Sequence, residues 1–148
     1  MAALTLWGLV LMENKLLDTV HQLTAAQQFA VGNDLVHVPT FELSLTPEFK
    51  SKAYTENELA YCNRFAESLL RYASTWAAKE AVYKAVKQLD NTATGWKKIE
   101  IIREKIGGKP SVKLHYHPQK FKISLTISHD GDYVWAVAFV EPNPFSVD

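Results

Sequence analysis

Helical spacing of apolar residues governs much of this chain up to about residue 90, and strand-like spacing governs it afterwards. Glu13 to Phe29 sets Leu16, Leu17, Val20, Leu23, Ala26 and Phe29 near the helical repeat, which predicts an amphipathic helix. Ahead of it, Ala2 to Met12 is largely apolar and predicts a buried strand or a helix start. That stretch is too short to cross a bilayer and lacks the basic residues that precede a signal-peptide core. Ala30 to Val38 predicts a strand stopped by Pro39, with Gly32 marking a bend or a close backbone approach. Thr55-Glu56-Asn57-Glu58 is a capping box, so a helix is expected from there to about Leu70 or Tyr72. A second helix is expected from Ser74 to about Leu89, ended by Asp90-Asn91.

The later pattern is that of strands. Ile99, Ile101 and Ile102 mark one, Gly107-Gly108-Lys109-Pro110 a turn, and Ser111 to His117 another strand. From Phe121 to Ser128 the alternation is clean, with Phe121, Ile123, Leu125 and Ile127 on one face. His129-Asp130-Gly131-Asp132 reads as a hairpin turn, and Tyr133 to Val140 as a nearly all-apolar, buried strand. Helix, strand, two helices and an antiparallel run of strands make an α+β domain.

The second helix carries the chemistry. At 100° per residue, Ala77, Ala78, Ala81, Val82, Ala85, Val86 and Leu89 share one arc, and so small a face implies close packing. Trp76, Lys79, Glu80, Tyr83, Lys84 and Lys87 share the other. One reading of that arc is a solvated face with an i,i+4 Glu80–Lys84 pair worth about 0.2–0.5 kcal/mol. The other is a site where a carboxylate holds a hard cation and lysines meet the phosphate it bridges. Asp34 is the second unusual carboxylate, since an ionised side chain in an apolar strand is costly unless paired or metal-bound. A bond to a nearby backbone amide would satisfy it equally well.

Composition narrows the classes. The 148 residues suit one domain, and with Lys+Arg 16 against Asp+Glu 16 the net charge of +0 weighs against a general nucleic-acid binder. Cys62 is the single cysteine, so the chain cannot form an internal disulfide and reads as cytoplasmic. No segment reaches transmembrane length, so no membrane partner is expected.

Five segments in order then resemble holo-[acyl-carrier-protein] synthase, the short 4'-phosphopantetheinyl transferase family. They are G-N-D-L-V-H-V (32–38), Y-T-E-N-E-L (54–59), W-A-A-K-E-A-V-Y-K-A (76–85), G-G-K-P (107–110) and S-L-T-I-S-H-D (124–130). The resemblance covers about Ala30 to Glu141. It divides the chain into an N-terminal extension with an amphipathic helix (1–29) and the transferase domain (30–148). The fold it implies is an antiparallel sheet packed against the long Ala-rich helix. The activity it implies is transfer of phosphopantetheine from coenzyme A to a serine of an acyl carrier protein, with Mg2+; the alternative is an inactive module that binds coenzyme A or carrier. Carried over residue by residue, Asp34 and Glu80 are metal ligands and Lys84 lies near the pyrophosphate. Lys79 adds positive field, and Gly108, Lys109, Pro110 and His129 border the coenzyme. Glu80, Lys84 and His129 are thereby catalytic candidates; the base for the carrier serine is a metal-bound water, a nearby carboxylate or His129, which reads equally as a turn histidine. A homotrimer with sites between neighbours is also implied. The chain departs from the family at Thr75, where an Arg is usual, and in L-D-N-T-A-T-G (89–95). Before the capping box Lys50 and Lys52 stand in for arginines that meet the acidic carrier, with Arg64 and Arg71 further on.

Overall fold

Small residues decide how the helices and strands of this chain meet. The computed structural model describes residues 6–26, 28–104 and 108–146. Its order is α1 (Leu6–Ala26), β1 (Ala30–His37), α2 (Val38–Ser44), α3 (Pro47–Ala53), α4 (Glu56–Cys62) and α5 (Ser68–Leu89). A 3-10 turn (Trp96–Lys98) leads to β2 (Ile99–Ile102), β3 (Ser111–Leu114), β4 (Phe121–Asp130) and β5 (Tyr133–Pro142). Strands β1, β5 and β4 form an antiparallel sheet in that order, and β2 and β3 a separate antiparallel pair. The expected α+β architecture is therefore present.

Helix α5 crosses one face of the sheet. Ala77, Ala78, Ala81, Val82, Ala85 and Val86 are buried there, as are Val36, Val134, Ala136, Ala138 and Val140 of the strands. Gly32 marks the closest approach: a Cβ there would overlap the Ala81 carbonyl oxygen and stand 2.7 Å from the Ala85 amide nitrogen. The outer edge of β1 is tied to α5 by side chains, the Val31 carbonyl accepting from Gln88 Nε2 at 2.9 Å and the Asn33 carbonyl from Lys84 Nζ at 3.2 Å. The two-residue turn Gly131-Asp132 joins β4 to β5, with Gly131 at φ 54°, where a side chain is strained.

Several expectations change. The capping box is present in full, but α4 ends at Cys62 and α5 starts six residues earlier than expected, at Ser68. Helices α2 and α3 were not anticipated; Pro39 stops the strand by starting a helix, and Thr46 caps Pro47–Ala53 by accepting from the Phe49 amide. Strand β5 is half-buried rather than buried: Val134, Ala136, Ala138 and Val140 face α5, while Tyr133, Trp135 and Phe139 face outward. The N-terminal segment is helical, but Leu6, Trp7, Leu9, Val10, Leu11 and Met12 are exposed rather than buried. Consecutive apolar residues on a helix point in all directions, so no single face can bury them. Residues 2–5 of that stretch and Gly107 of the expected turn lie outside the described residues.

Candidate active site

Two elements bring the acidic residues together. β1 directs Asp34 to its α5 side, where the residue is 8 % exposed. α5 runs past it and presents Glu80 into the same cavity, beside Asp34. Burial and the neighbouring Asp34 carboxylate push the Glu80 carboxyl up to about 7, against a smaller opposing pull from Lys84. Lys84 Nζ lies 2.7 Å from Asp34 Oδ1, so its ion pair spans to the strand instead of closing on Glu80 one turn away. In a pair of carboxylates this close, each disfavours the charge of the other, a repulsion that a nearby cation would relieve.

The two acids line one cavity of about 290 Å3, with Val36, His37, Thr40, Phe41, Ser44 and Trp76 among its other walls. Trp76 is packed edge-on against Phe49 and tilted against Trp96, so the aromatic wall is held from behind. Among the described residues no group of three or more His, Cys, Asp or Glu side chains is placed to hold a metal ion. Two carboxylates suit magnesium all the same, because that ion takes few protein oxygens and keeps its waters.

The other expected residues are placed differently. Lys79, expected on the polar arc beside Lys84, is fully buried, with Nζ 2.6 Å from Glu58 Oε2. Burial lowers its pKa while Glu58 and Glu100 raise it. The expectation that it adds field at the phosphate is thereby corrected: α5 is covered on this side by α4 and β2, and Lys79 reaches inward to the carboxylate between them. Glu58 serves three partners, accepting from the Thr55 amide at 2.9 Å, from Lys79, and from the Ile101 amide at 2.8 Å. Lys87 is also drawn away from Glu80, donating to the carbonyls of Asn91 and Thr92 in the loop that follows the helix. Thr75 is buried, its hydroxyl donating to the Arg71 carbonyl, so it does not replace the family's Arg.

His129 lies in β4 and lines a different cavity, of about 390 Å3, with Asn33, Leu35, Ser128, Tyr133 and Trp135. Asn33, Leu35, Ser128, Tyr133 and Trp135 mark the sheet face opposite α5, whereas His129 is the register partner of Val134, which faces α5. Gly108 and Lys109 are exposed and Pro110 is partly exposed at the entry to β3; none of the three lines either cavity. Of the lysines expected at a carrier surface, Lys50 stands over the Tyr72 ring at 4.4 Å and Lys52 pairs with Glu48. Arg71 stacks on Phe65 and Arg64 is exposed. Sequence reasoning missed His37 and Thr40. Strand parity places positions 34 and 37 on opposite faces, and the available signal was Pro39, which turns the chain where β1 ends.

Comparison with known proteins defines the class first. The model of the 4'-phosphopantetheinyl transferase superfamily matches residues 30–138. Holo-[acyl-carrier-protein] synthase of Chlorobaculum parvum is 34% identical over 94 residues, covering 64% of this chain and 80% of its own. That of Moorella thermoacetica is 34% identical over 119 residues, covering 74% and 91%. The fatty acid synthase alpha subunit hexA of Dothistroma septosporum is 36% identical over 116 residues; the match covers 73% of this chain and 7% of that protein's length. Among solved structures, an ACPS–CoA complex from Chronobacterium ammoniagenes superposes with TM-score 0.65 at 25% identity, covering 78% of this chain and 98% of that one. The Bacillus anthracis holo-(acyl-carrier-protein) synthase in complex with CoA (3',5'-ADP) gives TM-score 0.65 at 26% identity, covering 79% and 99%. The chain belongs to the 4'-phosphopantetheinyl transferase superfamily and, within it, is an enzyme of the holo-[acyl-carrier-protein] synthase type.

Proposed function

We propose that the chain moves the 4'-phosphopantetheine arm of coenzyme A to a serine of an acyl carrier protein, with Mg2+ held by Asp34 and Glu80. The observation that carries this reading is that those two carboxylates, contributed by β1 and α5, line one cavity with Lys84 paired to Asp34. Bound there, the ion supplies positive charge against the charge that develops on the diphosphate. Lys84, already within 2.7 Å of Asp34, adds a point charge beside the leaving phosphate. The serine oxygen then displaces adenosine 3',5'-bisphosphate. Relatives of this type are described as complexes with coenzyme A, which supports the choice of donor.

The active assembly is a homotrimer with sites shared between chains. The exposed side chains of Val31, Leu35, Trp135 and Phe139 on the outer sheet face support this, as an apolar surface of that kind favours a partner. His129, Gly108, Lys109 and Pro110 of one chain then border the coenzyme whose diphosphate meets Asp34 and Glu80 of the next. That division accounts for their lying apart within one chain. Residues 1–29 form an extension to the transferase domain, outside the matched residues 30–138. Cys62, buried and unpaired, fits the reducing cytoplasm.

The test is the intact mass of several apo carrier proteins after incubation with coenzyme A and Mg2+. Addition of phosphopantetheine that EDTA abolishes is the expected result. Coenzyme A binding without mass addition on any carrier would reduce the chain to a binding module.

A further inference from the structure

The transfer needs an acceptor for the serine proton, and the carboxylate pair is committed to the cation. We infer that His37 is that acceptor and that Thr40 holds its ring, an assignment that rests on the transfer reading above. Of the described histidines, His37 is the one that lines the cavity containing Asp34 and Glu80. It is the last residue of β1 and the N-cap of α2, so its side chain stands at a corner of the backbone. That corner is pinned to the β4–β5 turn by the Val38 amide, which donates to the Asp132 carbonyl at 2.8 Å.

The ring is braced on two sides. Tyr133, its register partner on β5, packs against it with centroids 5.0 Å apart. On α2, Thr40 Oγ1 stands 2.7 Å from Nδ1. With Nδ1–H donating to that oxygen, the lone pair is on Nε2, which leaves the free nitrogen as the base. A base oriented by a third group is the arrangement that activates hydroxyl nucleophiles elsewhere. Tyr133 on β5 is the titratable group packed on the ring; Asp34 on β1 and Glu80 on α5 line the same cavity, and the adjoining β4–β5 turn carries Asp132. The serine Oγ bonds to the phosphorus bearing the pantetheine arm. The bond from that phosphorus to the bridging oxygen breaks, and the electron pair leaves on adenosine 3',5'-bisphosphate. The hydroxyl proton goes to His37 Nε2.

The experiment follows kcat and both KM values from about pH 5 to 9 at saturating Mg2+, for the full chain and for His37→Gln, Thr40→Val and His129→Gln. The full chain is expected to show an acid limb in kcat. His37→Gln lowers kcat by about 100-fold or more and loses that limb, as removal of a general base does. Thr40→Val lowers kcat with little change in either KM. His129→Gln raises the coenzyme KM but keeps the limb. A His37→Gln enzyme within about threefold of the full chain, or one that is slower with the limb intact, overturns the assignment. Should His37→Gln fail to fold, Thr40→Val with an unchanged kcat and pH profile overturns it instead. Absence of transfer by the unaltered chain on every carrier tested removes the transfer reading itself, a result distinct from these.

Discussion

At the scale of single residues, the Asp34–Glu80 pair sets two opposed expectations. Glu80→Gln removes one carboxylate from the proposed cation site, and transfer should fall by more than about 100-fold, since charge stabilisation of this kind is a large part of such rates. The fold should survive, because the neutral amide relieves repulsion; unchanged circular dichroism alongside lost mass transfer is the check. The second expectation concerns pH. A folded-state value of about 7 for Glu80, against an ordinary carboxyl near 4.5, means the folded chain holds a proton that the unfolded chain has released across that interval. Stability of the metal-free protein therefore falls as pH rises from about 5 to about 7. Mg2+ should raise the melting temperature more at about pH 8 than at about pH 5, and Glu80→Gln should flatten the dependence. Equal Mg2+ effects at both pH values would contradict this account.

At the scale of elements, two contacts hold α5 in place. The first is the absence of a side chain at Gly32. Gly32→Ala drives a methyl into the Ala81 carbonyl, and neither backbone yields easily. The cost should be at least about 1–3 kcal/mol in urea unfolding, the range for overpacking. The second is the buried Lys79–Glu58 bridge between α5 and α4, extended to β2 through the Ile101 amide. Lys79→Met strands a buried carboxylate and should destabilise by about 3–5 kcal/mol, while Lys79→Met with Glu58→Leu should recover much of the loss. A single-variant cost under about 1 kcal/mol would show the bridge to be dispensable. Helix positions were readable from spacing here, and the alanine arc announced a tightly packed face. Lys79 was not readable, because a helical wheel assigns it to the polar arc and only the arrival of α4 and β2 makes that side an interior.

At the scale of the whole molecule, the sheet presents α5 on one face and an uncovered apolar surface on the other. Trp135 lies near the start of β5, the central strand, on that outer face and is 51% exposed. If the chain assembles as proposed, Trp135→Glu should convert that trimer to a monomer in light scattering after gel filtration, and transfer should fall with it. A monomeric unaltered chain that transfers at full rate would refute the shared site.

What the amino-acid sequence determined alone is whatever depends on neighbours within a turn or two. The alternation of Phe121 to Ser128, the Thr55–Glu58 cap, the alanine arc and the motif residues themselves are of this kind. Their physics is local hydrogen bonding and side-chain periodicity. Tertiary structure decided which distant groups meet: that Asp34 and Glu80 line one cavity, that Lys84 bonds across to the strand, that Lys79 turns inward and that His37 joins the acidic cavity while His129 lines another. Those outcomes follow from how closely α5 packs on β1 and where the chain turns at Pro39, and burial and charge at each group are set only after that packing exists.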